Sequence, residues 1–211
     1  MGDQYNLTHR DLLKKAIDDD DTDTVFRVCN ENPYAWRTEH AIQCAKKDRS
    51  VILEYIYNRM PPEDLERDGN LILIHAIKNG HWDTYRWAKD RGCVWVGRPS
   101  TQVFSIQGRN MDIVKEEWVD GVITGHAFWT SLASANNNLD ALKWLVDEKG
   151  EPMDDDVCRH AALLGNDEML EWARANDAPY DADLIAEIDD EAKQAFTEFQ
   201  NDVQTHYLMT Y

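Results

Sequence analysis

Three twelve-residue stretches, Ala76 to Trp87, Ala133 to Trp144 and Ala161 to Trp172, share one layout: a small residue, a turn residue four positions on, a large apolar residue nine on and Trp eleven on. Weaker copies run Ile17 to Val28, Cys44 to Tyr55 and Ser105 to Glu116, so that successive copies start 27, 32, 29, 28 and 28 residues apart. A period of this size constrains the fold strongly. One such unit cannot bury its apolar side alone, and neighbours must stack to complete a continuous core. The spacing predicts an all-α solenoid of about six short helix-turn-helix repeats over residues 1–182, with a C-terminal capping helix and tail over 183–211.

The clearest copy shows how one unit is built. Asp156 suits the start of a first helix, Gly165 suits the left-handed residue that ends it, and Asp167-Glu168 open a second helix at its positive end. Ala161-Ala162 are small where two helices approach closely, while Met169, Leu170 and Trp172 supply bulk, so that Trp172 is expected in the core. The run Asp156 to Ala173 and the stretch Ala76 to Ala88, with Asn79-Gly80-His81, resemble the ankyrin repeat, most of all the shortened repeats of large DNA viruses of protists. The resemblance covers some 175 residues. It implies a binding scaffold with a concave face built from first helices and inter-repeat loops. A Thr-Pro-Leu-His run is found nowhere intact, and the short period implies stubby loops in place of long hairpin fingers. At the C-terminus Leu184, Ile185, Ile188, Ala192, Ala195, Phe196 and Phe199 recur at helical spacing as a cap, with Thr205 to Tyr211 read as a frayed end in preference to a docking peptide.

Charge narrows the partners. The net charge is −18, with 22 acids against 18 bases over residues 1–146 and 18 against 4 over residues 147–211. Nucleic acid and anionic membrane are disfavoured, because both repel an acidic surface. No apolar run is long enough to cross a membrane and the N-terminal residues lack a secretory pattern, so the expected setting is intracellular and cytoplasmic, the host cytoplasm if the chain is viral. Cys29, Cys44, Cys93 and Cys158 form no paired motif, and Cys44 and Cys158 fall on the core side. A monomer is expected.

Aromatics recur just past the second helix, at Trp36, Trp95 and Tyr180, with Met153 in the corresponding loop. Regular recurrence favours packing over the next repeat, yet Trp and Tyr are also the residues that anchor interfaces. Trp82, Trp118 and Trp129 lie off the repeated slots and are individual binding candidates. Lys78, Arg86, Lys89, Arg91, Arg98 and Arg109 form a basic strip with Trp82 and Trp95 between them, to be weighed against ordinary solvated helix surface. The candidate binding set is therefore Trp36, Trp82, Trp95, Arg98 and Tyr180, the concave aromatic surface of the array. The acid run Asp18 to Asp23 lacks the Gly and Glu of a calcium loop and reads as a solvated turn. No metal site, cofactor or catalytic constellation is expected. The leading expectation is a scaffold that binds another protein, and the alternative is an acidic inhibitor whose residues 147–211 mimic nucleic acid on a basic protein surface.

Overall fold

The computed structural model describes residues 8–59, 62–95, 100–120 and 127–209. Among these residues it is all-helical: α1 (His9–Asp18), α2 (Thr22–Glu31), α3 (Thr38–Lys47), α4 (Ser50–Tyr57), α5 (Pro62–Lys78), α6 (Trp82–Asp90), α7 (Thr101–Gly108), α8 (Met111–Glu117), α9 (Phe128–Ala135), α10 (Leu139–Asp147), α11 (Asp155–Leu163), α12 (Asp167–Ala175), α13 (Ala182–Ala186) and α14 (Asp190–Met209). A short 3₁₀ turn, Pro33–Ala35, follows α2. The chain divides into two compact units, Met1–Trp118 and Val119–Tyr211, a boundary that falls within residues 1–182.

In the first unit odd-numbered helices α1, α3, α5 and α7 pack on one another in chain order, and each packs on the even-numbered helix that follows it. Helices α2, α4, α6 and α8 pack successively along their own side. In the second unit α9 packs on α10 and α11, and α11 packs on α12 and α14.

The turn inside each pair explains the sequence echo. Asp20, Asp48, Gly80, Arg109, Asn137 and Gly165 all have left-handed backbones, with φ between 54° and 67°. The residue after each left-handed one turns the chain into the second helix. Its N–H reaches back to the carbonyl of the small residue: Asp21 to Ala16, Arg49 to Cys44, His81 to Ala76, Asn138 to Ala133 and Asn166 to Ala161, at 2.8–2.9 Å. Asp21, Asn110, Asn138 and Asn166 then cap the second helices through their side chains. The acid run Asp18 to Asp23 lies at such a turn. The repeat therefore starts at Ala16 rather than Ile17, and α11 is preceded by Asp154 as N-cap rather than Asp156.

Successive turns are tied together. Arg49 pairs with Asp20 at 3.1 Å, Asp48 Oδ1 accepts from the backbone and hydroxyl of Thr84, and Asn110 Nδ2 donates to the Gly80 carbonyl at 3.0 Å. In the second unit Asn166 Nδ2 donates to Asn137 Oδ1 at 2.6 Å. First helices are bridged as well: the Arg37 N–H donates to His40 Nδ1, whose Nε2 meets the Arg10 carbonyl at 3.2 Å, and Ser134 Oγ meets His160 Nδ1 at 3.0 Å.

The small slot is buried in all six pairs, at Ala16, Cys44, Ala76, Ser105, Ala133 and Ala161. On the second helices the buried seam runs eight, nine and twelve residues beyond that slot, as at Thr84, Tyr85 and Ala88 or Ala141, Leu142 and Leu145. The Trp eleven beyond lies at the rim of this seam. Trp87 is buried, but Trp144 and Trp172 are only half-buried, which overturns the expectation that Trp172 is a core residue. Met169 and Ala173, both fully buried, fill that role on α12. Trp172→Ala is accordingly expected to cost about 1–2 kcal/mol in urea unfolding, well below the cost of deleting a buried Trp; a loss above about 3 kcal/mol would contradict the rim placement.

All four cysteines are free thiols, with Cys44, Cys93 and Cys158 buried. At the C-terminus Phe196 of α14 stacks on His160 of α11 at 5.4 Å, while Leu184 and Phe199 stay exposed. Helix α14 continues to Met209, so the chain expected to fray from Thr205 is helical through that residue.

Candidate functional site

The two sides of the first unit treat their cations differently. On the second-helix side Arg86 contacts Glu116 at 3.3 Å, Lys89 contacts Glu117 at 3.0 Å, and Arg91 pairs with Glu54 while lying over the Trp87 ring. Trp87 Nε1 also donates to Glu54 Oε2 at 2.8 Å. Three of the six bases of the sequence strip, Arg86, Lys89 and Arg91, are thus paired with acids on neighbouring second helices.

On the first-helix side the balance is the opposite. An open groove of about 360 Å³ between α1 and α3 is lined by Lys14, Asp18, Glu39, Ile42, Gln43 and Lys46. Gln43 Nε2 ties the two helices by donating to the Lys14 carbonyl at 2.8 Å. Lys47 pairs with Asp18 at 3.5 Å, whereas Lys14 and Lys46 form no ion pair among the described residues, Lys14 interacting with Asp11 only at longer range. Lys78 of the next first helix, α5, is half-buried, its ammonium 5.0 Å from the centre of the Phe104 ring. Burial, and then the charge of Lys46, hold the Lys78 ammonium below its ordinary value.

His75, one turn before Lys78, is 6% exposed, and its Nδ1 has no hydrogen-bond partner among the described residues. Burial first, then Lys46 and Lys78, bring its pKa from 6.5 down to about 4. The unfolded chain therefore binds a proton at a higher pH than the folded one. This contribution to stability is complete above pH 6.5 and is lost as pH falls toward 4. Lowering the pH from 7 to 5 is expected to cost about 2 kcal/mol through this ring, read by urea unfolding. His40 and His160, also lowered chiefly by burial, act in the same direction. His75→Gln should flatten the dependence, and an unchanged slope would show that His75 is not held neutral.

The sequence-based binding residues differ in their surroundings. Trp36 is 3% exposed, packed edge-on to Tyr57 at 6.1 Å and against His40 of α3, so its expected exposure is overturned. Trp95 is half-buried and meets Phe104 of α7 edge-on at 6.2 Å. Both rings pack on the first helix that follows them, which closes the seam between pairs. Trp82 opens α6, a second helix, and rests against Tyr85 and beneath Arg86. Tyr180, 39% exposed, belongs to the second unit and lies under Arg174. Arg98 lies outside the described residues. Trp129, 2% exposed, is a core residue rather than a surface anchor. Sequence reasoning missed Lys14, Lys46 and His75. The one signal available was the equal 32-residue spacing of Lys14, Lys46 and Lys78.

Comparison of the chain with family models, with curated proteins and with solved structures returned no match.

Proposed function

We propose that this chain is an ankyrin-like solenoid of about six short repeats with a C-terminal cap, and that it is a protein–protein interaction scaffold. Its partner docks on the face built by the first helices, and the role is recruitment or blocking of that partner, not catalysis. The observation that carries this reading is the contrast between the two sides of the first unit: Arg86, Lys89 and Arg91 are matched by internal acids, whereas Lys14, Lys46 and Lys78 form no ion pair among the described residues. Repeated left-handed turns and the first-helix-to-first-helix packing support the stacked architecture. The resemblance to viral repeats makes a host protein in the cytoplasm the natural partner for a monomeric array.

Capture from cell lysate tests it with two variants that leave the core alone. Glu39→Trp, at the rim of the first-helix groove, is expected to abolish retention of the partner, and Asp112→Trp on α8 is expected to preserve it. Retention by both variants, with melting curves like wild type, would overturn the first-helix assignment.

A second reading has its own support. In residues 147–201 the acids Asp155, Asp167, Glu168, Glu171, Asp181 and Asp183 are all exposed, as are those at 187–191. On this reading the region inhibits a nucleic-acid-binding protein by occupying its basic groove. Affinity should then fall steeply with salt, whereas a contact resting mainly on shape and apolar area should change little.

A further inference from the structure

Like charges that a fold leaves unmatched in one place are stabilised by a ligand of opposite sign, and Lys14, Lys46 and Lys78 are such a set. Two acids line the same groove, Asp18, which pairs with Lys47 at 3.5 Å, and Glu39 at its rim, yet among the described residues neither forms an ion pair with Lys14 or Lys46. Lys46 is near enough to His75 and Lys78 for its charge to act on both. His75, with its unpartnered Nδ1, marks the same place as polar and incompletely satisfied. The groove between Lys14 and Lys46 also carries the side chain of Ile42, so a bound chain would find apolar surface as well as charge.

Resting on the scaffold reading above, we infer that this row takes an acidic, extended segment of the partner protein, with successive carboxylates paired to Lys14, Lys46 and Lys78. Packed helices lie about 9 Å apart, and one turn of polyproline II chain, three residues at about 3.1 Å each, spans about the same distance and brings every third side chain to one side, so Asp or Glu at every third position would reach successive lysines. A peptide fits better than nucleic acid. At physiological salt the screening length is about 8 Å, so a short segment responds to the local lysines, while a long polyanion also meets the acids behind the net charge of −18.

The probe is a peptide of three Glu-Gly-Ser repeats titrated into the isotopically labelled full-length protein, followed by amide NMR shifts. Shifts are expected to cluster on α1, α3 and α5, and Lys46→Gln should weaken binding about tenfold. Lys115→Gln, which removes the same charge from exposed α8, should change it less than about twofold. A peptide of Gln-Gly-Ser repeats should not bind. The inference is overturned if the Glu peptide leaves the spectrum unchanged, if Lys115→Gln weakens binding as much as Lys46→Gln, or if the Gln peptide binds as well. It is also overturned if a nine-nucleotide RNA binds the same residues more tightly, or if Lys46→Gln instead abolishes self-association seen by sedimentation. The two levels fail separately: a captured partner sensitive to Glu39→Trp but indifferent to Lys46→Gln removes the acidic chemistry and leaves the scaffold.

Discussion

Tyr85→Ala is expected to destabilise the protein by about 4 kcal/mol in urea unfolding, a large share of the about 5–15 kcal/mol that holds a typical domain folded. The ring is completely buried in the seam of α6, and its hydroxyl donates to Glu117 Oε1 at 2.7 Å. Burial alone would raise the Glu117 carboxyl, yet hydrogen bonds from Thr101, Tyr85 and Lys89 outweigh it and hold the group below the ordinary carboxylate range. Removing the tyrosine therefore opens a cavity and deprives a nearly buried carboxylate of a donor. Tyr85→Phe isolates the second effect and should cost about 1.5–3 kcal/mol. Equal melting curves for Tyr85→Phe and wild type would show that the hydrogen bond contributes nothing net.

Gly108→Ala should cost about 3 kcal/mol, although in an ordinary helix the same change stabilises by up to about 1 kcal/mol. Gly108 ends α7, and a Cβ there would stand 2.0 Å from the Ile77 carbonyl oxygen. The approach is mutual, since a Cβ at Gly80 would stand 2.2 Å from the Gly108 oxygen. Two backbones touch between the third and fourth pairs, and neither is a flexible side-chain end that can swing away. Gly165 offers the comparison: its φ is 64° but nothing lies within 4 Å, so Gly165→Ala should cost only about 1 kcal/mol of backbone strain. A neutral or stabilising Gly108→Ala would mean that the pairs do not approach this closely.

The helical pairing was legible because its causes are local. The small slot, the left-handed residue and the N-cap sit within six positions of one another, so Ala161, Gly165 and Asn166 predict their own turn. The register slipped by one only in the first pair, where four consecutive Asp residues at 18–21 give no distinguishing turn residue. Which side of a second helix faces the core was harder. Residues eight, nine and twelve beyond the small slot form one stripe with Trp at its edge, and hydrophobicity alone does not separate a filler of the seam such as Met169 from a residue on its rim such as Trp172. The site was least legible of all. Arg91 meets Glu54 across 37 residues and Arg86 meets Glu116 across 30, so the middle of a strip that is basic in sequence is paired in space. Lys14, Lys46 and Lys78 are unremarkable as residues, and what distinguishes them is that they form no ion pair among the described residues.

Lysine-directed cross-linking of the captured complex, read by mass spectrometry, tests most directly whether the first-helix face is the binding surface. Links to the partner should concentrate on Lys14, Lys46, Lys47 and Lys78. Links confined to Lys89, Lys115 and Lys143, on α6, α8 and α10, would contradict it and place the partner on the second helices.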